Sequence, residues 1–325
     1  MPAKPAIHPD LKKQTFFLSL IPPFSELTYR VTKKMTGLIK GKRPSKGMRL
    51  EQVIIPRADG KKLRLCVYIP AKPKEDVPGL LWLHGGGYGL GVPEQEEKTI
   101  ARFVESSGCV VVSPDYRLSI EAPYPAAIDD CYSALLWLRD NAKKYGIRPD
   151  QLFVGGESAG GGLAAALALQ ARDRKEVSIA FQIPLYPMID DRMSTPSAKG
   201  SKAPLWNHVS NSNSWKLYLG DLFESPDVPC YAAPARAEDL SGLPPACSFV
   251  GGIEAFRDET VSYFQRLKES GVPTHFKIYP GCFHGFDMLF PNAAVSKDAH
   301  EFLMASFRHA VKHYFAPQPE HAGQE

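Results

Sequence analysis

The sequence predicts an α/β fold, in which a mostly parallel, twisted sheet is flanked by helices. From about Gly79 onward, short apolar runs alternate with longer segments of helical periodicity. The apolar runs are hydrophobic almost without interruption, which is typical of strands whose two faces are both covered. Strands that alternate with helices along a chain pair in parallel, because each helix carries the chain back across the sheet.

Six of these runs are predicted strands: Gly79–Leu83, Cys109–Ser113, Leu152–Gly155, Ile179–Ile183, Cys247–Val250 and His275–Tyr279. Upstream of them, Leu63–Ile69 alternates between apolar and polar residues. That alternation favours a half-exposed antiparallel strand at the edge of the sheet.

Four segments between or after the strands are predicted helices. In Pro125–Tyr145 the apolar residues recur at steps of three and four, and Gly160–Arg172 is rich in alanine. Thr260–Ser270 and Lys297–Phe315 complete the set.

Two segments do not follow this alternation. Residues 1 to about 48 are basic and aromatic with helical fragments. Residues from about 190 to 229 combine aromatic residues with many Ser, Asn and Pro, and a long irregular insertion of this kind is often a lid. A loop with a local aromatic cluster is the alternative. The main domain is then 49–315, followed by a flexible tail at 316–325.

Charge and cysteine content limit the partners and the location. The formal net charge of +4 is small and spread along the chain, which argues against binding to nucleic acid. The apolar stretch Phe16–Phe24 is too short and too interrupted by proline for stable membrane insertion. No small-residue cleavage site follows it, so we expect no signal peptide. The six cysteines lack CxxC spacing, so we expect them to be reduced and the protein to be cytoplasmic. A homodimer is left open.

The strongest motif is Gly156-Glu157-Ser158-Ala159-Gly160, which lies between a predicted strand and a predicted helix. In this context G-x-S-x-G indicates a nucleophile elbow, a sharp turn that exposes the serine hydroxyl. The glycines permit strained backbone angles and close packing that a Cβ would obstruct. The helix that follows favours negative charge developing near Ser158.

The second motif is His84-Gly85-Gly86-Gly87, directly after the strand Gly79–Leu83. Consecutive glycines let backbone N–H groups approach a substrate oxygen, as an oxyanion hole requires. A flexible turn or a phosphate-binding loop are the alternatives, but no Lys-Ser or Lys-Thr follows, so a Walker-type P-loop is excluded.

A third candidate is His284, just beyond the last predicted strand. Serine is a poor nucleophile unless an imidazole within hydrogen-bond reach takes its proton. The order of serine before histidine along the chain agrees with this role.

Together these motifs resemble the hormone-sensitive-lipase-like family of α/β-hydrolases, which share HGGG, GDSAGG and a DPLRDE-like acid motif. The third appears here as Glu254-Ala255-Phe256-Arg257-Asp258-Glu259. The resemblance covers about Val53 to Phe315. It implies carboxylester hydrolysis without a cofactor, an N-terminal cap, and oxyanion donors from the N–H groups of Gly86, Gly87 and Ala159.

The sequence departs from the family pattern at two acids. Glu157 replaces the usual Asp before the nucleophile, and Glu254 replaces the usual Asp of the acid motif. We favour Glu254 as the triad acid, because it is the first acid after its strand. Asp258, four residues later, is the rival and is normally structural in the family.

The sequence thus predicts a serine carboxylesterase that cleaves small to medium acyl esters with Ser158, His284 and Glu254. Tyr88 and Trp206 are candidates for the substrate pocket. An amidase or arylformamidase with the same triad is an alternative, as is a non-catalytic receptor of the same fold, although such receptors typically lack the histidine.

No metal or nucleotide cofactor is expected. His309 and His313 lie four residues apart, but no third ligand or HExxH pattern accompanies them. Gly160 and Gly162 match a relaxed dinucleotide fingerprint, but they lie inside the predicted helix rather than at its start.

Overall fold

The structure is a computed structural model, and it describes residues 6–12, 15–18, 21–42, 44, 46–57 and 59–320. In this part of the chain the strands are Met48–Pro56 (β1), Lys62–Pro70 (β2), Val77–Leu83 (β3), Val110–Pro114 (β4), Ile147–Glu157 (β5), Phe181–Leu185 (β6), Ala246–Gly251 (β7) and Thr274–Tyr279 (β8). The helices are Thr15–Leu18 (α1), Glu26–Thr36 (α2), Glu97–Ser107 (α3), Ala126–Asn141 (α4), Ala159–Arg174 (α5), His208–Leu219 (α6), Arg257–Glu269 (α7), Phe286–Leu289 (α8) and Ala294–His313 (α9).

The eight strands described form one sheet in the order β1-β2-β4-β3-β5-β6-β7-β8. From β4 to β8 all neighbours are parallel, whereas β1 and β2 are antiparallel to the strands beside them. Every residue of β3, β4 and β6 is buried, which explains their unbroken hydrophobicity. The predicted α/β fold with a mostly parallel sheet flanked by helices is confirmed.

The predicted strands and helices are all present, with ends shifted by a few residues, but the predicted sheet edge is wrong. Leu63–Ile69 belongs to β2, which pairs with both β1 and β4 and is largely buried. The strand at this edge is β1, which the sequence did not predict because its two faces alternate only weakly in polarity. Helix α3 was also missed, and so was α6 within the 190–229 insertion.

The N-terminal segment and the insertion pack against each other. The backbone N–H of Phe24 donates to Oγ of Ser210 at 3.0 Å, and Nδ2 of Asn213 donates to the Phe24 carbonyl at 2.8 Å. The hydroxyls of Tyr29 and Ser214 are hydrogen-bonded in the buried space between α2 and α6. These contacts are those expected of two segments that together cover one end of the sheet.

The C-terminal residues are tied to the opposite end of the sheet. The Ala316 N–H donates to the Asp150 carbonyl at 2.8 Å, and Nε2 of Gln318 donates to the carbonyls of Pro149 and Ser178. The predicted flexible tail is therefore anchored at 316–320, and residues 321–325 lie outside the described part of the chain. No helix of the described residues is long and apolar enough to cross a membrane.

A buried ion pair fixes the start of the insertion. Both carboxylate oxygens of Asp191 accept from Arg236, at 2.7 and 2.8 Å, and only 2% of the Asp191 side chain is exposed. The same guanidinium donates to the carbonyls of Ser225 and Pro226, so it joins the two ends of the insertion. A bidentate pair of this kind is both directional and strong.

Replacing Asp191 with Ala should therefore lower the free energy of unfolding by about 2 kcal/mol, because the Arg236 guanidinium loses its charged acceptors. Urea unfolding followed by circular dichroism measures the change. Glu301→Ala is the matched control, since it breaks an exposed ion pair with Arg308 and should cost less than about 0.5 kcal/mol. Equal losses in the two variants would contradict the stabilising role of the buried pair.

Candidate active site

Ser158 lies on the sharp turn that joins β5 to α5. Its φ of +58° and ψ of −118° are unusual for a residue other than glycine, and its backbone N–H donates to the Leu185 carbonyl at 3.0 Å. This conformation projects the hydroxyl away from the strand at the N-terminus of a 16-residue helix. The strained backbone angles predicted for the turn are thus those of Ser158 itself.

The flanking glycines are required by close packing. A Cβ on Gly156 would lie 2.5 Å from the carbonyl oxygens of both Leu83 and Gly160. A Cβ on Gly160 would overlap the Leu83 carbonyl still more severely. The start of α5 therefore lies directly against the end of β3, where the glycine-rich loop begins.

His284 reaches Ser158 from the loop between β8 and α8. Its Nε2 lies 2.9 Å from Oγ of Ser158, and both side chains are nearly buried, at 5% and 4% exposure. The imidazole ring packs edge-on against Tyr186 and Phe256, with centroid distances of 5.1 and 5.0 Å. These contacts fix the ring in an orientation suited to accept the serine proton.

Glu254 follows β7 and lies on the other side of the imidazole. Its Oε2 is 3.4 Å from Nδ1 of His284, the distance of a close ion pair rather than of a short hydrogen bond. Burial raises the pKa of the Glu254 carboxyl above its ordinary value, and the neighbouring imidazole acts in the opposite direction.

The rival acid, Asp258, is engaged elsewhere. Its carboxylate accepts from the Ser197 N–H at 2.8 Å and from Nε of Arg257 at 2.6 Å. Partial burial acts to raise the pKa of Asp258, but these two donors outweigh it and hold the pKa below its usual value. The carboxylate thus joins the start of α7 to the insertion. The structure brings Glu254, rather than Asp258, to His284.

The glycine-rich loop follows β3 and curls back beside the elbow. Gly86 and Gly87 have φ of +125° and +58°, and a Cβ on Gly86 would overlap the Leu90 carbonyl. The Gly86 carbonyl accepts from the N–H groups of Gly89 and Leu90 at 3.1 Å. Among the described residues, the N–H groups of Gly86 and Gly87 have no acceptor of their own. The N–H of Ala159, in the first turn of α5, is likewise left without an intrahelical partner.

His84 holds the start of this loop in place through its contacts with Tyr116. Its ring stacks on Tyr116 at 4.1 Å, the Tyr116 hydroxyl donates to the His84 carbonyl at 2.7 Å, and burial lowers the pKa of the imidazole. His84 is therefore a neutral, fully buried support for the glycines that follow it.

Aromatic side chains from the N-terminal segment and from the 190–229 insertion lie against the glycine-rich loop. A Cβ on Gly87 would collide with the Tyr29 hydroxyl and with the Trp206 ring, so both side chains lie directly against that glycine. The Trp206 ring also lies 6.0 Å from the ring of His284 and 5.6 Å from that of Phe24. The predicted pocket residue Trp206 thus lies beside His284, and Tyr29, which was not predicted, lies beside Gly87.

Tyr88, the other predicted pocket residue, is held in the packing behind the loop. Its hydroxyl donates to the Met188 carbonyl at 2.9 Å, and its ring stacks on Tyr218 at 3.8 Å.

No sequence pattern indicated Tyr29, since an aromatic residue in an irregular N-terminal segment has no motif around it. Among the described residues, no three His, Cys, Asp or Glu side chains are grouped so that they could hold a metal ion.

Known proteins resemble the chain in sequence and in fold. A family model described as the alpha/beta hydrolase fold matches residues 80–288. The esterase LipI of Mycobacterium tuberculosis is 35% identical over 213 residues, which cover 65% of this chain and 66%, about two thirds, of LipI. Carboxylesterase NlhH of the same organism is 35% identical over 236 residues, 70% of this chain and 73% of NlhH. The solved structure of a bacterial heroin esterase matches with a TM-score of 0.86 and 34% identity, covering 94% of this chain and 98% of that one.

The packing of the elbow generates a prediction for Gly160→Ala. The new methyl group would overlap the Leu83 carbonyl, so the start of α5 must shift by several tenths of an ångström and carry Ser158 with it. We expect a melting temperature lowered by several degrees, together with loss of the esterase activity of the folded fraction. Gly37→Ala is the control, because a Cβ there meets nothing within 4 Å. If the two alanine variants had equal melting temperatures, the close contact would not be real.

Proposed function

The chain belongs to the hormone-sensitive-lipase-like family of α/β-hydrolases and is a carboxylesterase, and we propose that it works through a Ser158–His284–Glu254 triad and an acyl-enzyme. The observation that carries the triad is the 2.9 Å contact between Nε2 of His284 and Oγ of Ser158. The buried carboxylate of Glu254 beside Nδ1 supports the same assignment.

In this mechanism His284 takes the Ser158 proton as Oγ attacks the ester carbonyl carbon. The carbonyl oxygen becomes an oxyanion, which accepts hydrogen bonds from the N–H groups of Gly86, Gly87 and Ala159. His284 then donates its proton to the leaving alcohol, and the acyl group stays on Ser158. A water molecule deprotonated by His284 releases the acid and restores the serine. Glu254 stabilises the imidazolium in both halves of the reaction.

The substrates we propose are small to medium acyl esters. Tyr29 and Trp206 lie directly against Gly87, and the Phe24 ring packs on both of them, so bulky side chains border the proposed oxyanion hole and support acyl groups of limited size. All six cysteines are free, which supports a cytoplasmic location.

Replacing Ser158 with Ala should abolish hydrolysis of p-nitrophenyl esters at every acyl length from acetate to laurate, because no nucleophile remains. The loss should be about 10⁴-fold or more in kcat. The wild-type protein should also be labelled by a fluorophosphonate and the variant should not. Undiminished turnover by the alanine variant would refute the mechanism, and faster cleavage of anilides than of matched esters by the wild type would favour the amidase alternative.

Two acid variants separate the triad acid from its rival. Glu254→Ala should lower kcat by about 10³-fold or more with little change in KM, since the imidazolium loses its buried counter-charge. Asp258→Ala removes contacts to Ser197 and Arg257, so it should lower the melting temperature while the folded protein keeps its kcat. The reverse pattern in steady-state kinetics and thermal unfolding would move the acid to Asp258.

A further inference from the structure

Two buried carboxyl groups lie beside the active site without a part in the mechanism above. Glu157 immediately precedes the nucleophile and is 1% exposed. Glu96 ends the short helical turn Pro93–Glu96 and is 2% exposed. A buried carboxyl group is costly unless it is neutral or well hydrogen-bonded, so the presence of two in one place requires a physical account.

Both residues lie beside Gly85, the first glycine of the proposed oxyanion loop. The Gly85 N–H points at Oε1 of Glu96, 3.4 Å away. On its other side, a Cβ on Gly85 would lie 3.7 Å from Cγ of Glu157, 3.1 Å from its carbonyl oxygen and 3.6 Å from Cβ of Ser158. Gly85 therefore lies between the nucleophile elbow, which includes Glu157, and the carboxyl group of Glu96, and the position of Gly86 and Gly87 depends on it.

The two acids differ in their hydrogen-bond partners. Glu96 accepts from Nε2 of Gln95 at 2.9 Å, from Nε1 of Trp82 at 3.2 Å and from the Gly85 N–H, so both of its oxygens act as acceptors. Glu157 accepts from the Tyr186 hydroxyl at 2.5 Å through Oε2. Its Oε1 is buried without a well-formed hydrogen bond among the described residues. A proton on Oε1 would make that oxygen a donor, and the Glu96 side chain, which interacts with Glu157 and raises its pKa, is the acceptor that fits it.

The surroundings of Glu157 favour its neutral form. Burial is the largest effect and the negative charge of Glu96 the next, and together they raise the pKa of Glu157 well above its ordinary value. Asp287 adds to this from α8, where Nε2 of His300 lies 3.6 Å from its carboxylate. The Tyr186 hydroxyl, itself kept protonated by burial, acts in the opposite direction.

We propose that Glu157 and Glu96 are positioning residues that share one proton and thereby hold Gly85, and with it the oxyanion loop, against the nucleophile elbow. The inference rests on the proposed function and adds two residues to it. Loss of the shared proton leaves two negative charges side by side in a medium of low polarity, and their repulsion displaces the loop. Because oxyanion contacts form mainly in the transition state, kcat falls while KM changes little.

The test is the pH dependence of Glu157→Gln. The amide has the shape of the protonated acid and can donate to Glu96, but it cannot lose that proton. The wild type should lose kcat by about tenfold at alkaline pH, a fraction of the 10²–10³-fold cost of removing an oxyanion donor outright. In Glu157→Gln this alkaline loss should disappear, with kcat near the wild-type maximum and KM unchanged. Glu105→Gln, which removes the same charge from an exposed site on α3, should keep the wild-type profile.

Thermal unfolding gives a readout that does not depend on activity. The unfolded chain ionises Glu157 near its ordinary pKa, whereas the folded protein keeps the proton to a higher pH. Glu157 therefore lowers the free energy of unfolding of the wild type increasingly as pH rises above about 4.5. The decrease levels off only above the raised pKa of the folded state. The melting temperature of Glu157→Gln relative to wild type should rise with pH over that window, and the difference should be constant for Glu105→Gln.

Glu96→Gln provides a second variant, since it removes the other charge of the pair. It should also suppress the alkaline loss of kcat, at some cost in melting temperature because Trp82 and Gln95 lose a charged acceptor. Parallel pH profiles for wild type and both variants, with a melting-temperature difference independent of pH, would overturn the proposal. A failure of the triad itself would appear instead as full activity in Ser158→Ala, and it would leave the unfolding series unaffected.

Discussion

The active site depends on one close approach, that of the first turn of α5 to the end of β3. Gly160 lies so near the Leu83 carbonyl that no side chain fits between them, and Gly156 is confined by the same oxygen. This contact sets the strained backbone of Ser158 and brings the glycine-rich loop after β3 beside it. In the proposed mechanism, the hydroxyl that attacks and the N–H groups that receive the resulting charge are thus placed by a single packing constraint, before any substrate is bound.

Burial determines how these groups act on one another. Ser158, His284 and Glu254 are each at most 5% exposed, so water competes little for their hydrogen bonds. In such surroundings an imidazolium is costly unless a counter-charge is close, and the Glu254 carboxylate lies on the side of the ring opposite the serine. Tyr29 and Trp206 add to this burial where they lie directly against Gly87.

The sequence was sufficient where function imposes a local pattern and insufficient where contacts are made between distant segments. The sheet, the elbow and the order of serine and histidine could be predicted from apolar runs and short motifs. Strand β1 was not predicted, because a half-exposed edge strand has little hydrophobic pattern. Tyr29 was not predicted, because its position depends on contact with Ser214, 185 residues away. Glu96 is equally invisible in sequence, since only the fold brings it to Gly85.

Glu157 and Glu254 each occupy a position where the family usually has aspartate. They show that the effect of such a difference cannot be predicted from the two residue types alone. Each adds one methylene, yet the consequences differ with the surroundings. At Glu254 the side chain reaches His284, at 3.4 Å, and the imidazole opposes the rise in the carboxyl pKa that burial causes. At Glu157 the carboxyl accepts from the Tyr186 hydroxyl and interacts with Glu96, so that a second negative charge there is unfavourable. The same chemical change is therefore compatible with the counter-charge proposed at Glu254 and with the shared proton proposed at Glu157, and the difference lies in what the fold places beside each carboxyl.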